Sequence, residues 1–251
     1  MAFNSEARSR LLKFVLKVRN LIENDFRHQM QGVYGMDPES GSIQPLSALK
    51  HLSTGNFEIA QDLRDIAEFY LSKEKNDSAF VLRKILREQT QTFLIRLCAI
   101  RMAEERGVFM ESLASGFQSA GFVNYRVITG FALGSDFSTY VRYLKSLFDE
   151  KAQELPQIFD RTEAFGLLFL EENTFMALLE EMNAPDLISF WREDETIGWI
   201  FQYFNTDAEV RSMRGSKNGI PKNSYELAVR NQFGECQVSF PLFLLKISRF
   251  A

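Results

Sequence analysis

Between Asp77 and Gly107 apolar side chains recur at helical spacing with no glycine or proline to interrupt them, and no other stretch constrains the chain as much. Asp77 or Ser78 can accept from the free amides of a first turn, and Gly107 suits the stop. Val81, Ile85, Phe93, Leu97, Ile100 and Met102 spread too widely for one narrow seam. The spacing predicts a central helix that packs on more than one neighbour.

Helical periodicity continues on both sides. Leu11, Val15, Val18, Ile22 and Phe26 form one face of a first helix that also carries Arg8, Arg10, Lys13, Lys17 and Arg19. That basic run invites comparison with a transit peptide, but Glu23 and Asp25 follow without a small-residue cleavage site, so it reads as part of a folded domain. The stretch from Gln31 to Gly55 is punctuated by Gly32, Gly35, Pro38, Gly41 and Pro45 and reads as a loop-rich excursion. Ile59, Leu63, Ile66 and Tyr70 then resume the helical repeat. Farther on, Glu111-Ser112-Leu113-Ala114 and the run from Phe137 to Phe148 read as shorter helices. Between them, Val127, Ile128 and Thr129 favour a strand while the length of the Asn124 to Phe131 segment allows a helical turn; the helical reading is taken. Glu163 to Met182 is again helical in pattern, and Ala184-Pro185-Asp186 is a stop and restart. The expected class is mostly α, a multi-helix bundle-like domain with loop-rich insertions and room for one short strand pair. Three parts are expected: a helical domain over 1–184, connector helices over 185–233 and an atypical apolar tail over 234–251.

With 251 residues, 45% of them hydrophobic, the chain can bury a sizeable core. A formal net charge of -4 excludes a uniformly basic nucleic-acid surface, so any DNA contact has to be local. Cys98 and Cys236 stand apart from each other and from metal-type ligands, which fits a reducing cytoplasm and gives neither a disulfide framework nor a zinc site. His28 and His51 lack metal-ligand spacing, and no Ser, Cys or His sits in a nucleophile motif. No apolar run reaches the ~18 residues of a membrane span.

Ile197, Ile200, Phe201 and Phe204 follow the i, i+3, i+4, i+7 pattern, with Glu193, Asp194 and Glu195 at the positive end of the helix dipole. Trp199 and Tyr203 broaden that face, and core packing is the reading taken for these rings; base stacking is disfavoured by the acidic neighbours. Between Val210 and Tyr225 lie Arg211, Arg214, Lys217 and Lys222, with no acid among them. They are either solvated linker charge or contacts to DNA phosphates, and they are the candidate DNA-binding residues. Asn223 and Glu226 have the spacing of a capping box. Arg83, Arg87, Arg96 and Arg101 on the long helix are expected to make ordinary surface pairs with Glu88, Glu104 and Glu105.

Three segments taken together carry a family resemblance: Thr92 to Gly107 (TFLIRLCAIRMAEERG), Trp191 to Phe204 (WREDETIGWIFQYF) and Asn223 to Phe233 (NSYELAVRNQF). In order and content they resemble large adenine-specific DNA methyltransferases of the BREX (PglX-like) and related restriction-modification kind. The resemblance covers roughly residues 77 to 233. It implies a helical region ahead of an S-adenosylmethionine-dependent domain that methylates the exocyclic nitrogen of adenine, with DNA as partner in the intact family. The family continues after Asn-Gln-Phe with a Phe-Thr-Pro-like motif, and this sequence departs from it at Gly234-Glu235-Cys236.

Residues independent of that resemblance point the same way. A methyltransferase of this class needs an Asn/Asp-Pro-Pro-aromatic loop to hold a flipped base, and the chain contains no Pro-Pro pair. Gly116 to Gly121 has neither dinucleotide-fold spacing nor the Lys-Ser/Thr of a phosphate loop. The resemblance therefore implies a non-catalytic N-terminal portion, inactive alone, as an interrupted gene or shifted frame would produce. No catalytic, metal or cofactor-binding residue is expected in this chain, S-adenosylmethionine belonging to the intact family. The alternative is a free-standing helical interaction protein of a defence system, docking a protein partner through apolar surface.

Overall fold

In the computed structural model of the protein, residues 5–73, 77–130, 134–162 and 165–205 are described. They form eight α-helices: α1 (Ser5–Gly32), α2 (Thr54–Lys73), α3 (Ser78–Glu105), α4 (Ala120–Thr129), α5 (Asp136–Ala152), α6 (Pro156–Phe159), α7 (Glu172–Met182) and α8 (Thr196–Phe204). Short 3-10 turns intervene at Leu46–Ala48, Gly116–Gln118 and Ile188–Arg192. The mostly α, bundle-like class read from the periodicity is the observed one. No strand is present among the described residues; an isolated antiparallel bridge, Met36 to Ile43, lies in the loop after α1, away from the segment whose composition favoured a strand.

α3 is the axis. It packs against α1, α2, α8 and the Ile188–Arg192 turn, and Val81, Ile85, Phe93, Leu97, Ile100 and Met102 are all buried. The Asp77 carboxylate accepts from the Phe80 amide at 2.6 Å and opens the helix. At the other end Gly107, with φ of +71°, takes the left-handed conformation that lets the chain leave. α1 lies alongside, with Leu11, Val15, Val18, Ile22 and Phe26 fully buried.

The basic residues of α1 have a structural use. Arg10 pairs with Asp186, Lys17 with Glu181, and Arg8 lies 4.6 Å from the centre of the Trp199 ring. Arg19 donates at 2.7 Å to the carbonyl of Phe204, a C-terminal group of α8 that has no partner within its own helix. Four cations thus fasten α1 to the segment from Glu181 to Phe204. Asp186 is engaged with Arg10, and the 3-10 turn that follows has Leu187 before it with no side-chain cap.

The hydrophobic core runs across residue 184 without a break. Trp191, Ile197, Ile200 and Phe204 are buried, Trp191 meets Phe14 edge-on with ring centres 5.7 Å apart, and its indole N–H donates to the Met182 carbonyl at 2.9 Å. Trp199 and Tyr203 are half-buried and stack on each other.

Two segments expected to be helical are not. Glu111 to Ala114 is a turn because the Glu104 carboxylate, reaching out from α3, accepts the amides of Ser112 and Leu113 at 2.6 Å and of Ala114 at 3.2 Å. Residues 165–171 are non-helical, and α7 begins only at Glu172. Of the Asn124 to Phe131 segment, the residues up to Thr129 are helical, the end of α4, in line with the reading taken; Phe131 lies outside the described residues.

Candidate functional site

The segment from Phe165 to Glu171 crosses the bundle with no neighbouring strand, so its peptide groups need other partners. Side chains of α1 and α3 supply them. Gln89 Oε1 accepts the amides of Leu167 and Leu168 at 2.8 and 3.3 Å, Gln29 donates to the Phe169 carbonyl at 2.9 Å, and Asp25 accepts the Glu171 amide at 3.2 Å. Leu168 and Leu170 are buried, with Leu167 and Phe169 half-buried between and beside them, the period-two alternation of extended backbone.

Arg96 completes this arrangement, and its place differs from the surface pairing expected of it. The side chain is buried, and its guanidinium donates to the carbonyls of Ile158 at 2.6 Å, Asp160 at 2.6 Å and Gly166 at 3.1 Å. Three carbonyls that helix or sheet leaves open converge on one fork, the geometry for which a planar five-donor cation is suited. Arg101 is buried too. It keeps the expected ion pair with Glu105, at 3.1 Å, and adds a bond to Asn183 at 2.9 Å.

The 165–171 segment lies as a strap across the bundle, and with α2, α3 and α5 it lines a cleft of about 460 Å³. Ile59, Phe93, Phe148 and Phe169 give it apolar walls; Glu58 and Asp62 of α2 line it, as do Arg96, Lys145 and Arg161. Arg161 grips Asp149 with two parallel bonds of 2.7 and 2.6 Å. Asp149 lies one helical turn beyond Lys145 on α5, so the carboxylate best placed to neutralise the lysine is already held. Among the described residues Lys145 has neither a hydrogen bond nor an ion pair; its ammonium lies 6.0 Å from the Phe169 ring centre. Burial, then the fields of Arg161 and Arg142, push its pKa below the ordinary lysine value, against the pull of Asp149.

A second polar cluster lies behind the 111–114 turn. Glu104 is raised to about 7, burial outweighing the three amides and Arg101 that favour its charged form. Tyr140 donates to the Ser112 carbonyl and Tyr143 bonds the Ser112 hydroxyl, so every member is engaged in holding the turn on α5. None of its members lines the cleft above, and its use is structural.

The four candidate DNA-binding residues, Arg211, Arg214, Lys217 and Lys222, lie outside the described residues, as do the Asn223 to Phe233 segment and Cys236. Cys98 is a free thiol, fully buried and pushed well above its ordinary pKa by that burial. His28 is exposed on α1. Among the described residues no group of three or more His, Cys, Asp or Glu could hold a metal, and no helix is long and apolar enough to cross a membrane. Lys145 and Arg161 had no signature in the sequence. Their meeting depends on the path of a strap whose partners lie far away in the chain, and the unbroken apolar run Leu167-Leu168-Phe169-Leu170 gives no local sign of that path.

Comparison with family models, with curated proteins and with solved structures gives no match to this chain.

Proposed function

We propose that this chain is a helical, non-catalytic portion of an S-adenosylmethionine-dependent DNA adenine N6-methyltransferase of a phage-defence or restriction-modification system. One observation carries the reading beyond the resemblance itself: two of the three resembling segments are neighbours in space. Glu105 and Arg106, at the end of the first, meet Arg192 and Asp194, at the start of the second, through ion pairs of 2.6 and 2.7 Å; Arg106 also donates to the Arg192 carbonyl at 3.1 Å. Resembling segments that sit side by side make a coherent unit against which a further domain can rest. In this role the chain buttresses, and Arg211, Arg214, Lys217 and Lys222 supply sequence-independent contact to phosphates. The experiment is to read the source DNA beyond this coding region. A frame carrying a Gly-rich cofactor turn and an Asn/Asp-Pro-Pro-aromatic motif is expected; neighbouring DNA that encodes neither overturns the proposal.

A second reading, a free-standing interaction protein, is favoured by one feature. α4 exposes Val123, Val127 and Ile128, and its Asn124 touches the exposed Met110, which extends the apolar surface. This reading predicts that the chain binds a hydrophobic dye through α4 and that Ile128→Glu removes the signal; a chain that binds no dye contradicts it.

A further inference from the structure

We infer that the cleft beneath the 165–171 strap is a binding site for a small anionic ligand, held by the ammonium of Lys145, with an apolar body against Phe93 and Phe169. The inference is independent of the methyltransferase reading. It rests on three features of the cleft taken together. Its volume of about 460 Å³ falls in the range of small-molecule sites. Its walls set the apolar surface of Ile59, Phe93, Phe148 and Phe169 beside charged groups of both signs, Glu58 and Asp62 against Arg96, Lys145 and Arg161. Its cations are also unequally engaged.

Arg96 is committed to three carbonyls of the strap and its approach, and Arg161 is committed to both oxygens of Asp149. Lys145 is the one of the three whose ammonium makes neither a hydrogen bond nor an ion pair to a described residue; its nearest described partner is the Phe169 ring. A half-buried ammonium beside an aromatic wall, with two further guanidinium groups contributing positive field, recovers most by taking an anion in place of the water it has lost.

The chemistry of the donors narrows the class. A lysine offers a compact point charge rather than a planar fork, so it suits a phosphate as well as a carboxylate. Glu58 and Asp62 on α2 repel a second anionic group and accept hydrogen bonds, which favours a ligand whose other end carries N–H donors. A nucleoside monophosphate and an aromatic amino acid share this chemistry, and the titration separates them.

The test uses the full chain and calorimetric titration with four probes: adenosine 5′-monophosphate, phenylalanine, inorganic phosphate and uncharged adenosine. Binding by either of the first two, with adenosine silent, is expected, and which of the two binds names the source of the anion. Inorganic phosphate, having no apolar body, is expected to bind more weakly. Lys145→Gln is expected to reduce affinity about tenfold or more. Asp149→Asn is expected to act in the opposite direction, because it frees Arg161 to face the ligand. Arg161→Gln is expected to weaken binding by releasing Asp149 to Lys145. No binding by any anion, binding of adenosine as tight as of its monophosphate, or affinity unchanged in both Lys145→Gln and Asp149→Asn with melting temperatures preserved, overturns the inference.

Discussion

The guanidinium of Arg96 occupies the space that a β-carbon on residue 166 would need, so Arg96 in this position calls for a glycine there. The close approach lets the arginine reach the Gly166 carbonyl and hold the strap over the cleft. Arg96→Met leaves three carbonyls without their donor, and each buried group so stranded costs ~1–3 kcal/mol. A loss of about 3 kcal/mol or more is expected in urea unfolding. Gly166→Ala is expected to be costly in the native chain and much less so in the Arg96→Met background, because the clash is with the arginine itself. Equal penalties in the two backgrounds would show that the pair is not coupled.

Glu104 makes stability depend on pH. Its folded value of about 7 lies above the ordinary 4.5, so the folded state holds the proton more tightly than the unfolded one. The contribution is present in full below about pH 4.5 and is lost as pH rises through 7, a change of roughly 3 kcal/mol across the window. Glu104→Gln, which stays neutral and can still accept amides through its side-chain oxygen, is expected to remove that component. The check is the difference in urea midpoint between the two chains at pH 4.5 and pH 8; a difference independent of pH refutes it.

At the start of α3, Asp77→Ala removes the acceptor of the Phe80 amide. A loss of about 1 kcal/mol is expected, with the helix content nearly unchanged. Ser78→Ala, whose side chain makes no capping bond to that amide, should cost less; the reverse order in thermal melts would place the cap one residue later.

Arg19 offers a fourth test. It donates to the last carbonyl of α8 and lies over the Phe204 ring, with centres 5.0 Å apart. Arg19→Leu is expected to raise amide exchange in α8 more than in the middle of α3. Exchange raised uniformly through the chain would mean that α8 unfolds only with the whole domain.

How the sequence could be read depended on distance along the chain. α1 and α3 were legible because their faces and caps are local: five buried positions at helical spacing in one, Asp77 and Gly107 bounding the other. The 111–114 turn and the 165–171 strap were not, since their peptide groups are satisfied outside a helical ladder by Glu104 in one case and by Gln29, Gln89 and Asp25 in the other. Arg96 looked like a surface cation because its neighbours in sequence include acids, whereas its partners lie 62 to 70 residues away. The cleft was illegible for the same reason: α2, α3, α5 and the strap each bring an unremarkable part of it.

The proposal that the chain supports methyl transfer to adenine without performing it is tested most directly by an assay with radiolabelled S-adenosylmethionine and adenine-containing DNA. The purified chain is assayed alone and again with the polypeptide encoded immediately downstream. The account predicts no transfer above background from the chain alone and N6-methyladenine when the two are combined. Transfer by this chain alone, or none from the combination, would contradict it.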